Sequence, residues 1–463
     1  MKNLTKNLTY SVVYQILILI IPFVTSPYVS RVLGASGLGL FSYSYSIALY
    51  FTYFVLLGIT NYGNREIANV QNKRHKRSVI FSELYTMQMC LGLVIVAIYT
   101  IYMVFLAQDK ISALIMTLCV ISSMFDINWF FMGMELFKLT VIRNSIIKIL
   151  SAIAIFVFVN NKSDVYIYIF IMSISTLISQ LSLWTFLKKY VVYIKPKPEK
   201  VFSHFKPNLK LFIPVIAVSV YKMLDKIMLG SMSTMSEVGY FENAEKIINM
   251  VDAPITAIGS VMLPRITANL SVGNKIQNDK YLYQTIKVVL CYSNAVMLGL
   301  ILIGPNFSIL FFGQEFQKSG ILIQYLAITT IFLASGNVLR TQYLIPNKMD
   351  NIYINSAIIG AIGNFLLNLS LIPLLGALGT VLGTIFAEVS VCMYQFFKIR
   401  KELRIKRIIF YELIFFLIGL IMFFIVRLLP NFRSITEQLI IDIAVGALIY
   451  LTISFIFFKF YKD

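Results

Sequence analysis

Apolar residues are grouped along the chain into long stretches, and short segments rich in Lys, Arg, Asn and Pro separate them. A helix that crosses the hydrocarbon core of a bilayer needs roughly 20 residues. Fourteen stretches come near or exceed that length and predict membrane-spanning helices: 11–30, 38–60, 79–106, 111–132, 143–160, 164–187, 211–230, 240–262, 284–305, 320–344, 352–374, 376–397, 408–428 and 436–458. The pattern predicts an all-α, polytopic membrane protein.

Composition supports this assignment. The chain is 58% hydrophobic and 13% charged, with a mean hydropathy of +0.80, whereas soluble domains carry about 25% charged residues. Its net charge of +19 would suit a nucleic-acid binder. However, most Lys and Arg fall in alternate polar segments, as the positive-inside rule requires. We therefore predict that both termini lie in the cytoplasm, that basic loops contact anionic membrane lipids, and that nucleic acid is not a partner.

Three smaller features fit the same topology. The polar start, MKNLTKNLTY, has no cleavage signal, so we expect no signal peptide. The two tryptophans, Trp129 and Trp184, fall at predicted inner span ends, where an aromatic belt is expected. The four cysteines lie in predicted spans without paired spacing, and both histidines lie in charged loops. No disulfide, metal site or cofactor is predicted, and coupling to H⁺ or Na⁺ is left open.

The stretch 211–230 carries three ionisable residues, Lys222, Asp225 and Lys226, in its second half. Insertion of such groups costs about 2.5–3.5 kcal/mol each. Their spacing places all three on one helical face. That face either lines a cationic cavity or forms a buried Lys–Asp pair between packed helices. Alternatively, the side chain of Lys226 extends to the nearby membrane surface.

A shift of 200 residues superposes Arg65 on Arg265 within two similar segments, 36–69 and 236–269. Six predicted spans separate the copies, so the repeats run parallel. This predicts an N-terminal six-helix bundle (1–190), a basic connector (191–210), a C-terminal six-helix bundle (211–400) and two additional helices (401–463).

Several other polar residues fall within predicted spans or at their ends. Near the inner ends, Glu83, Asp126 and Glu135 are candidate partners of Arg143 or Lys148. The hydroxyl-rich segment 42–53 either joins helices or lines a sugar path. The candidates for substrate or ion binding are Arg31, Lys246, which is paired at i,i+4 with Glu242, Asp252, Asn364, Asn368 and Glu388.

Five segments together resemble one family: PYVSRVLGASGLGLFSY, NREIAN, LDKIMLG, VGYFENAEKI and MLPRI. The chain is similar to polysaccharide-type flippases of the multidrug/oligosaccharidyl-lipid/polysaccharide exporter superfamily. The resemblance implies a V-shaped pair of six-helix bundles around a cationic cavity, with two helices that shelter a lipid tail. It also implies functional roles for Arg31 and Arg65, and a cation site at Asp225 with Asn364 or Asn368.

The resemblance further implies a transporter and not an enzyme. Its substrate would be an undecaprenyl-diphosphate-linked oligosaccharide, moved across the bacterial cytoplasmic membrane for capsule or O-antigen synthesis alongside polymerases and glycosyltransferases. We expect transport by alternating access. In this mechanism the diphosphate first binds Arg65 and Arg265 and then contacts Lys222, Lys226, Lys246 and Arg31. Asp225, Asp252, Asn364, Asn368 and Glu388 are candidates for ion coupling. Two alternatives are cation-coupled efflux of small organic compounds, and a membrane-embedded glycosyltransferase or polymerase.

Overall fold

The computed structural model describes residues 2–430, 432 and 434–461, with the side chains of 2–19 and 213–222 left outside the description. In these residues all regular structure is helical, which confirms the all-α prediction. The chain forms two compact units, Met1–Ile227 and Met228–Asp463. The sequence predicted two repeats, a connector and two extra helices. That division was based on similarity between segments, which the two compact units do not test, so it stays a prediction.

The first unit contains eight helices and most of a ninth among its described residues. Their bounds are α1 Lys2–Leu56, α2 Ile59–Asn69, α3 Arg74–Phe105, α4 Lys110–Met124, α5 Asn128–Gly133, α6 Phe137–Phe158, α7 Val165–Leu187, α8 Pro198–Ser203 and α9 Phe205–Met232, the last crossing into the second unit. The second unit continues with α10 Met235–Ser271, α11 Lys275–Phe312, α12 Gln317–Leu326, α13 Thr329–Leu339, α14 Asp350–Leu375, α15 Ala377–Ile399, α16 Ile405–Arg427 and α17 Ile435–Phe460.

Eleven helical segments of the described chain are long and apolar enough to cross a membrane, or up to twelve if the bent pair Gln314–Leu326 and Thr329–Leu344 forms one span. The chain is therefore a multi-pass membrane protein. One of the eleven, Ile20–Asn69, includes part of the predicted span 11–30 and all of the predicted span 38–60. The predicted span 211–230 contains the undescribed side chains of 213–222. The count of fourteen and the orientation of the termini stay predictions.

The helical path is broken at two places, one between the predicted spans 11–30 and 38–60 and one within the predicted span 111–132. In α1, Gly34 has φ 68° and ψ −179°, a non-helical conformation that an L-residue rarely adopts. The predicted span 111–132 corresponds to the candidate span Lys110–Gly133, within which α4 ends at Met124 and α5 starts at Asn128. Between them, Asp126 Oδ1 accepts hydrogen bonds from the backbone N–H and the side-chain amide of Asn128, at 2.8 and 2.7 Å. This local bonding competes with helix continuation.

Trp129 belongs to the core of the first unit and not to an aromatic belt, which corrects the sequence prediction. Its side chain is 1% exposed and packs 5.6 Å from the ring of Phe81. The indole N–H donates to Gln88 Oε1 at 3.1 Å. Since a buried hydrogen-bond partner satisfies this N–H, the indole does not need the polar membrane interface.

In the second unit, α14 and α15 pack closely near their turn because Gly379 has no side chain. A Cβ at this position would lie 2.6 Å from the carbonyl carbon and oxygen of Leu371, closer than real Cβ contacts. We expect Gly379→Ala to destabilise the protein by about 1–3 kcal/mol, the usual cost of overpacking. Thermal unfolding of the purified protein in detergent would show this as a lower midpoint.

Gly299→Ala on α11 is the matched control, because nothing lies within 4 Å of its added Cβ. The control should unfold at the same temperature as the wild type or slightly above it, since alanine favours a helix by about 1 kcal/mol. Equal midpoints for Gly379→Ala and the wild type would contradict the close packing of α14 and α15.

Candidate functional site

In the first unit, Arg65 lies exposed on α2. Its Nε is 3.4 Å from Glu66 Oε1, and its guanidinium carbon is 5.4 Å from the ring centroid of Tyr62. The side chain is 58% exposed, so a cation–π contact of about 0.5–1 kcal/mol is expected there. Arg31, near the middle of α1, is also exposed.

In the second unit, Arg265 on α10, the counterpart of Arg65 in the predicted repeat, also lies beside a tyrosine. It donates a hydrogen bond to the hydroxyl of Tyr281 at 2.6 Å, and its guanidinium carbon lies 4.5 Å from that ring centroid. Arg265 is exposed. Each unit therefore presents an exposed arginine that a tyrosine face orients, the type of side chain that recognises phosphate.

The three ionisable residues of 211–230 are described unequally. The side chain of Lys222 lies outside the description, so the structure does not decide between a Lys222–Asp225 pair and a cavity-lining face. Asp225 is 3% exposed, and Lys226 is half-buried. On α10, Lys246 Nζ lies 3.3 Å from Glu242 Oε1, so the predicted i,i+4 pair is present. Glu242 thus neutralises part of the positive charge that Lys246 would offer an anion.

The candidate ion-coupling residues of the second unit are mainly buried. Asn364 and Asn368 on α14 are both 0% exposed, and Asn368 Nδ2 donates to Asn364 Oδ1 at 3.2 Å. Glu388 on α15 is 7% exposed, whereas Asp252 on α10 is half-buried. Within the described chain, no group of three or more His, Cys, Asp or Glu side chains is arranged for a metal ion. The two amides provide polar oxygen and nitrogen atoms in an apolar surrounding.

Two hydroxyls of the segment 42–53, those of Tyr43 and Ser44, join α1 to other helices. Ser44 and Ser112 bridge α1 and α4 through their hydroxyls at 2.9 Å. Ser46 Oγ donates to the carbonyl of Ser42 at 2.7 Å within α1 itself, whereas Tyr43 hydrogen-bonds the side chain of Tyr102 on α3. At these positions, the structure favours helix packing over a sugar path.

His204 forms a polar network that sequence reasoning missed. Its Nδ1 lies 2.9 Å from the hydroxyl of Tyr62, and its Nε2 lies 3.0 Å from Glu83 Oε2. The predicted pairing of Glu83 with Arg143 or Lys148 was therefore wrong. Asp126 and Arg143 both hydrogen-bond the side chain of Asn128, at 2.7 and 2.9 Å, so Asn128 connects them. Because His204 is 142 and 121 residues away from its two partners in the chain, no local pattern indicated the network.

His204→Ala should lower the thermal unfolding midpoint in detergent. The substitution leaves the carboxylate of Glu83, which is 9% exposed, without this partner, at a cost of about 1–3 kcal/mol. The other histidine, His75, is exposed at the start of α3, and His75→Ala is the matched control with an unchanged midpoint. Equal midpoints for both variants would mean that the network adds no stability.

Lys287 on α11 was also missed. Its side chain is 5% exposed, and its Nζ donates to the backbone carbonyl of Tyr461 at 2.8 Å. The Nζ lies 4.8–5.6 Å from the centroids of four rings, those of Tyr411, Phe457, Phe458 and Tyr461. The sequence signal that could have indicated this site is the position of Lys287, a single lysine near the start of an apolar stretch. The contacts of Lys287 with these four rings join α11 and α16 to the end of α17.

Comparison with known proteins gives a consistent result. A family model described as "Polysaccharide biosynthesis protein" matches residues 4–270. A proposed O-antigen transporter of Shigella dysenteriae is 23% identical over 381 residues, covering 81% of this chain and 94% of the relative. One from Escherichia coli K12 is 23% identical over 410 residues, covering 86% and 97%. The lipid II flippase MurJ of Bacillus subtilis is 26% identical over 164 residues, which are 34% of this chain and 29% of that protein.

Two solved structures share the fold. A lipid II flippase MurJ in an inward closed conformation superposes with a TM-score of 0.71 at 18% identity, covering 95% of this chain and 99% of that one. An inward-facing multidrug transporter of the MATE family gives a TM-score of 0.59 at 14% identity, covering 83% and 98%. At these identities, the likeness establishes a common helical architecture.

Proposed function

Because the chain belongs to the family of polysaccharide biosynthesis proteins, we propose that it is a flippase for undecaprenyl-diphosphate-linked oligosaccharides. It moves them from the inner to the outer leaflet of the bacterial cytoplasmic membrane, where capsule or O-antigen-type polymers are assembled. The observation that carries this proposal is the alignment with proposed O-antigen transporters over 94% and 97% of their own length. The partial match to a lipid II flippase supports the same class of lipid-linked cargo.

The diphosphate is the part of this substrate that the protein recognises by charge. Arg65 and Arg265 are exposed, and each lies against a tyrosine ring. A guanidinium presents five N–H donors in a planar fork that matches phosphate oxygens. We assign these two arginines to the diphosphate, with Arg31 and Lys226 as further cationic donors. Lys222 and Lys246 keep their assignment as substrate candidates.

Transport proceeds by alternating access, in which the isoprenoid tail stays in lipid. Export of an anion is favoured by an inside-negative potential by about 2.3 kcal/mol per charge per 100 mV. The potential can therefore drive a doubly charged diphosphate outward without an ion partner. If H⁺ or Na⁺ is coupled, Asp225, Asp252, Asn364, Asn368 and Glu388 are the candidate sites, because they place polar or ionisable groups inside the helical bundle.

We infer the orientation from the charge distribution, for which the positive-inside rule predicts both termini and the basic loops in the cytoplasm. In this orientation, glycosyltransferases on the inner face supply the cargo, and a polymerase on the outer face consumes it. Both are proposed functional partners, and neither requires direct contact with this chain.

A liposome assay tests the function. Purified protein is reconstituted with a lipid-linked oligosaccharide, and an impermeant sugar-binding probe reports the glycan that reaches the external leaflet. We expect the glycan to become accessible much faster than in empty liposomes, with the mass of the lipid-linked sugar unchanged. A longer or altered glycan would indicate a polymerase or glycosyltransferase, and transport of small organic cations without glycan exposure would indicate efflux.

A further inference from the structure

A basic cavity of about 370 Å³ lies in the second unit, where α11 and α16 begin. Its polar lining consists of Asp279, Lys280, Tyr283, Gln284, Arg404 and Arg407. Three cations and one carboxylate contribute, so the lining carries an excess of positive charge. None of these residues was assigned above to the substrate or to ion coupling.

Two tyrosines fix the basic side of this cavity. The hydroxyl of Tyr283 accepts a hydrogen bond from the backbone N–H of Arg404 at 2.6 Å. Arg407 Nε donates to the hydroxyl of Tyr411 at 2.6 Å, and its guanidinium carbon lies 5.3 Å from the ring centroid of Tyr283. Because Arg407 is already held in one arrangement, it loses less conformational freedom when it binds an anion. The nearby carboxylate of Glu402 accepts a hydrogen bond from Tyr343.

The polarity of α11 and α16 predicts that the cavity lies at the depth of lipid headgroups. Both α11 and α16 are membrane-span candidates, with hydropathies of 2.1 and 2.7 in their most apolar windows. Each of these helices begins at the cavity with a polar first few turns and then becomes apolar. The cavity therefore lies where the polar part of each helix ends and its apolar part begins. This end of each helix is the one that the positive-inside rule predicts to be cytoplasmic. Anionic lipids are concentrated in that leaflet, and basic pockets between membrane helices bind their headgroups.

We propose that this cavity binds the phosphate headgroup of an anionic glycerophospholipid of the inner leaflet. Lys280 and Arg404 attract the phosphate, and the guanidinium of Arg407 provides a fixed donor surface. Asp279 favours a singly charged phosphodiester over a diphosphate, because each further negative charge is repelled by its carboxylate. The bound lipid joins α11 to α16, so its binding stabilises the fold. This role goes beyond the proposed flippase activity.

The test measures lipid-dependent stability of the purified full-length chain in detergent. Phosphatidylglycerol is titrated, and the rise of the thermal unfolding midpoint gives an apparent affinity, with phosphatidylcholine as the zwitterionic comparison. Each basic residue near an anionic headgroup contributes about 1 kcal/mol, or roughly fivefold in affinity. We expect the double variant K280Q/R404Q to bind phosphatidylglycerol about 25-fold more weakly than the wild type.

Two further variants sharpen the test. K275Q/K406Q is the matched control, because both lysines are exposed near the cavity and neither lines it. It removes the same charge and should bind like the wild type. D279N removes the negative charge from the lining and should bind about fivefold more tightly. If K280Q/R404Q does not survive purification, R404Q alone against K406Q alone, together with D279N, gives the same comparison.

The proposal is overturned if K280Q/R404Q keeps the wild-type affinity, or if the K275Q/K406Q control weakens binding equally. Equal stabilisation by phosphatidylcholine would also overturn it, because the site would then not select an anionic lipid. Undecaprenyl diphosphate is tested in a separate titration. If it alone stabilises the protein, and K280Q/R404Q loses that effect, the cavity binds the substrate head and not a bilayer lipid. Since glycan export is not the readout, the flippase proposal stands or fails separately.

Discussion

Replacement of Arg65 and Arg265 together by alanine is expected to abolish export of the lipid-linked oligosaccharide. A charge-assisted hydrogen bond contributes about 1.5–3 kcal/mol, and every 1.4 kcal/mol is about tenfold in a binding constant. Because the double substitution removes one such hydrogen bond to the diphosphate from each unit, transport should fall by at least about 100-fold. The liposome assay with the external sugar-binding probe measures the rate directly.

Matched variants separate this effect from a general loss of positive charge. Arg74 and Lys275 are exposed and have no assigned role in transport, so R74A/K275A should export at the wild-type rate. R65K/R265K keeps both charges but loses the planar fork, and we expect an intermediate rate. Normal export by R65A/R265A, present in the membrane at wild-type amounts, would remove these arginines from the mechanism.

Trp129→Ala should give the largest loss of stability among the substitutions considered for the fold. The indole is 1% exposed, contacts Phe81 and Phe130, and donates to the side chain of Gln88. Removal of a buried tryptophan creates a cavity and costs about 3–5 kcal/mol. The midpoint of thermal unfolding in detergent should fall accordingly, well below that of Gly379→Ala.

Phe186 on α7 is the control for this substitution, because its ring is 37% exposed in a membrane-spanning helix. Lipid tails are as apolar as the side chains they replace, so loss of a partly lipid-exposed ring changes stability little. Phe186→Ala should unfold close to the temperature of the wild type. A Trp129→Ala midpoint equal to that of this control would show that the aromatic cluster does not hold the first unit together.

The helical architecture and the Glu242–Lys246 pair were predictable because both depend on local sequence. Bilayer thickness fixes the length of an apolar helix, and residues four apart on a helix are neighbours. The sequence pointed to Arg65, Arg265 and the Asn364–Asn368 pair as candidates through their positions in and beside the predicted spans, and their functional roles stay predictions. Their neighbours were less predictable, since Tyr281 lies 16 residues from Arg265 and on another helix.

The sequence could not indicate which apolar face of a helix is buried. On α3, Leu93 and Val94 are exposed, whereas Met87 and Tyr99 are buried, although all four are hydrophobic. In a soluble protein the exposed face would be polar. In a membrane, lipid and protein interior favour the same side chains, so hydrophobic periodicity does not distinguish the two faces.

The sequence by itself determined that this is an all-helical membrane protein, and it supplied the candidate arginines and intramembrane polar residues. The structure then showed that Arg65 and Arg265 are exposed and that Asn364 and Asn368 are buried. Tertiary structure decided which groups meet: His204 with Glu83, Lys287 with the end of α17, and Lys280 with Arg404 around one cavity. The physical reason is that the length of a spanning helix and the pairing of residues four apart depend only on residues within a few helical turns of one another. By contrast, these contacts join residues more than 100 positions apart, and only packing of the helices brings them together.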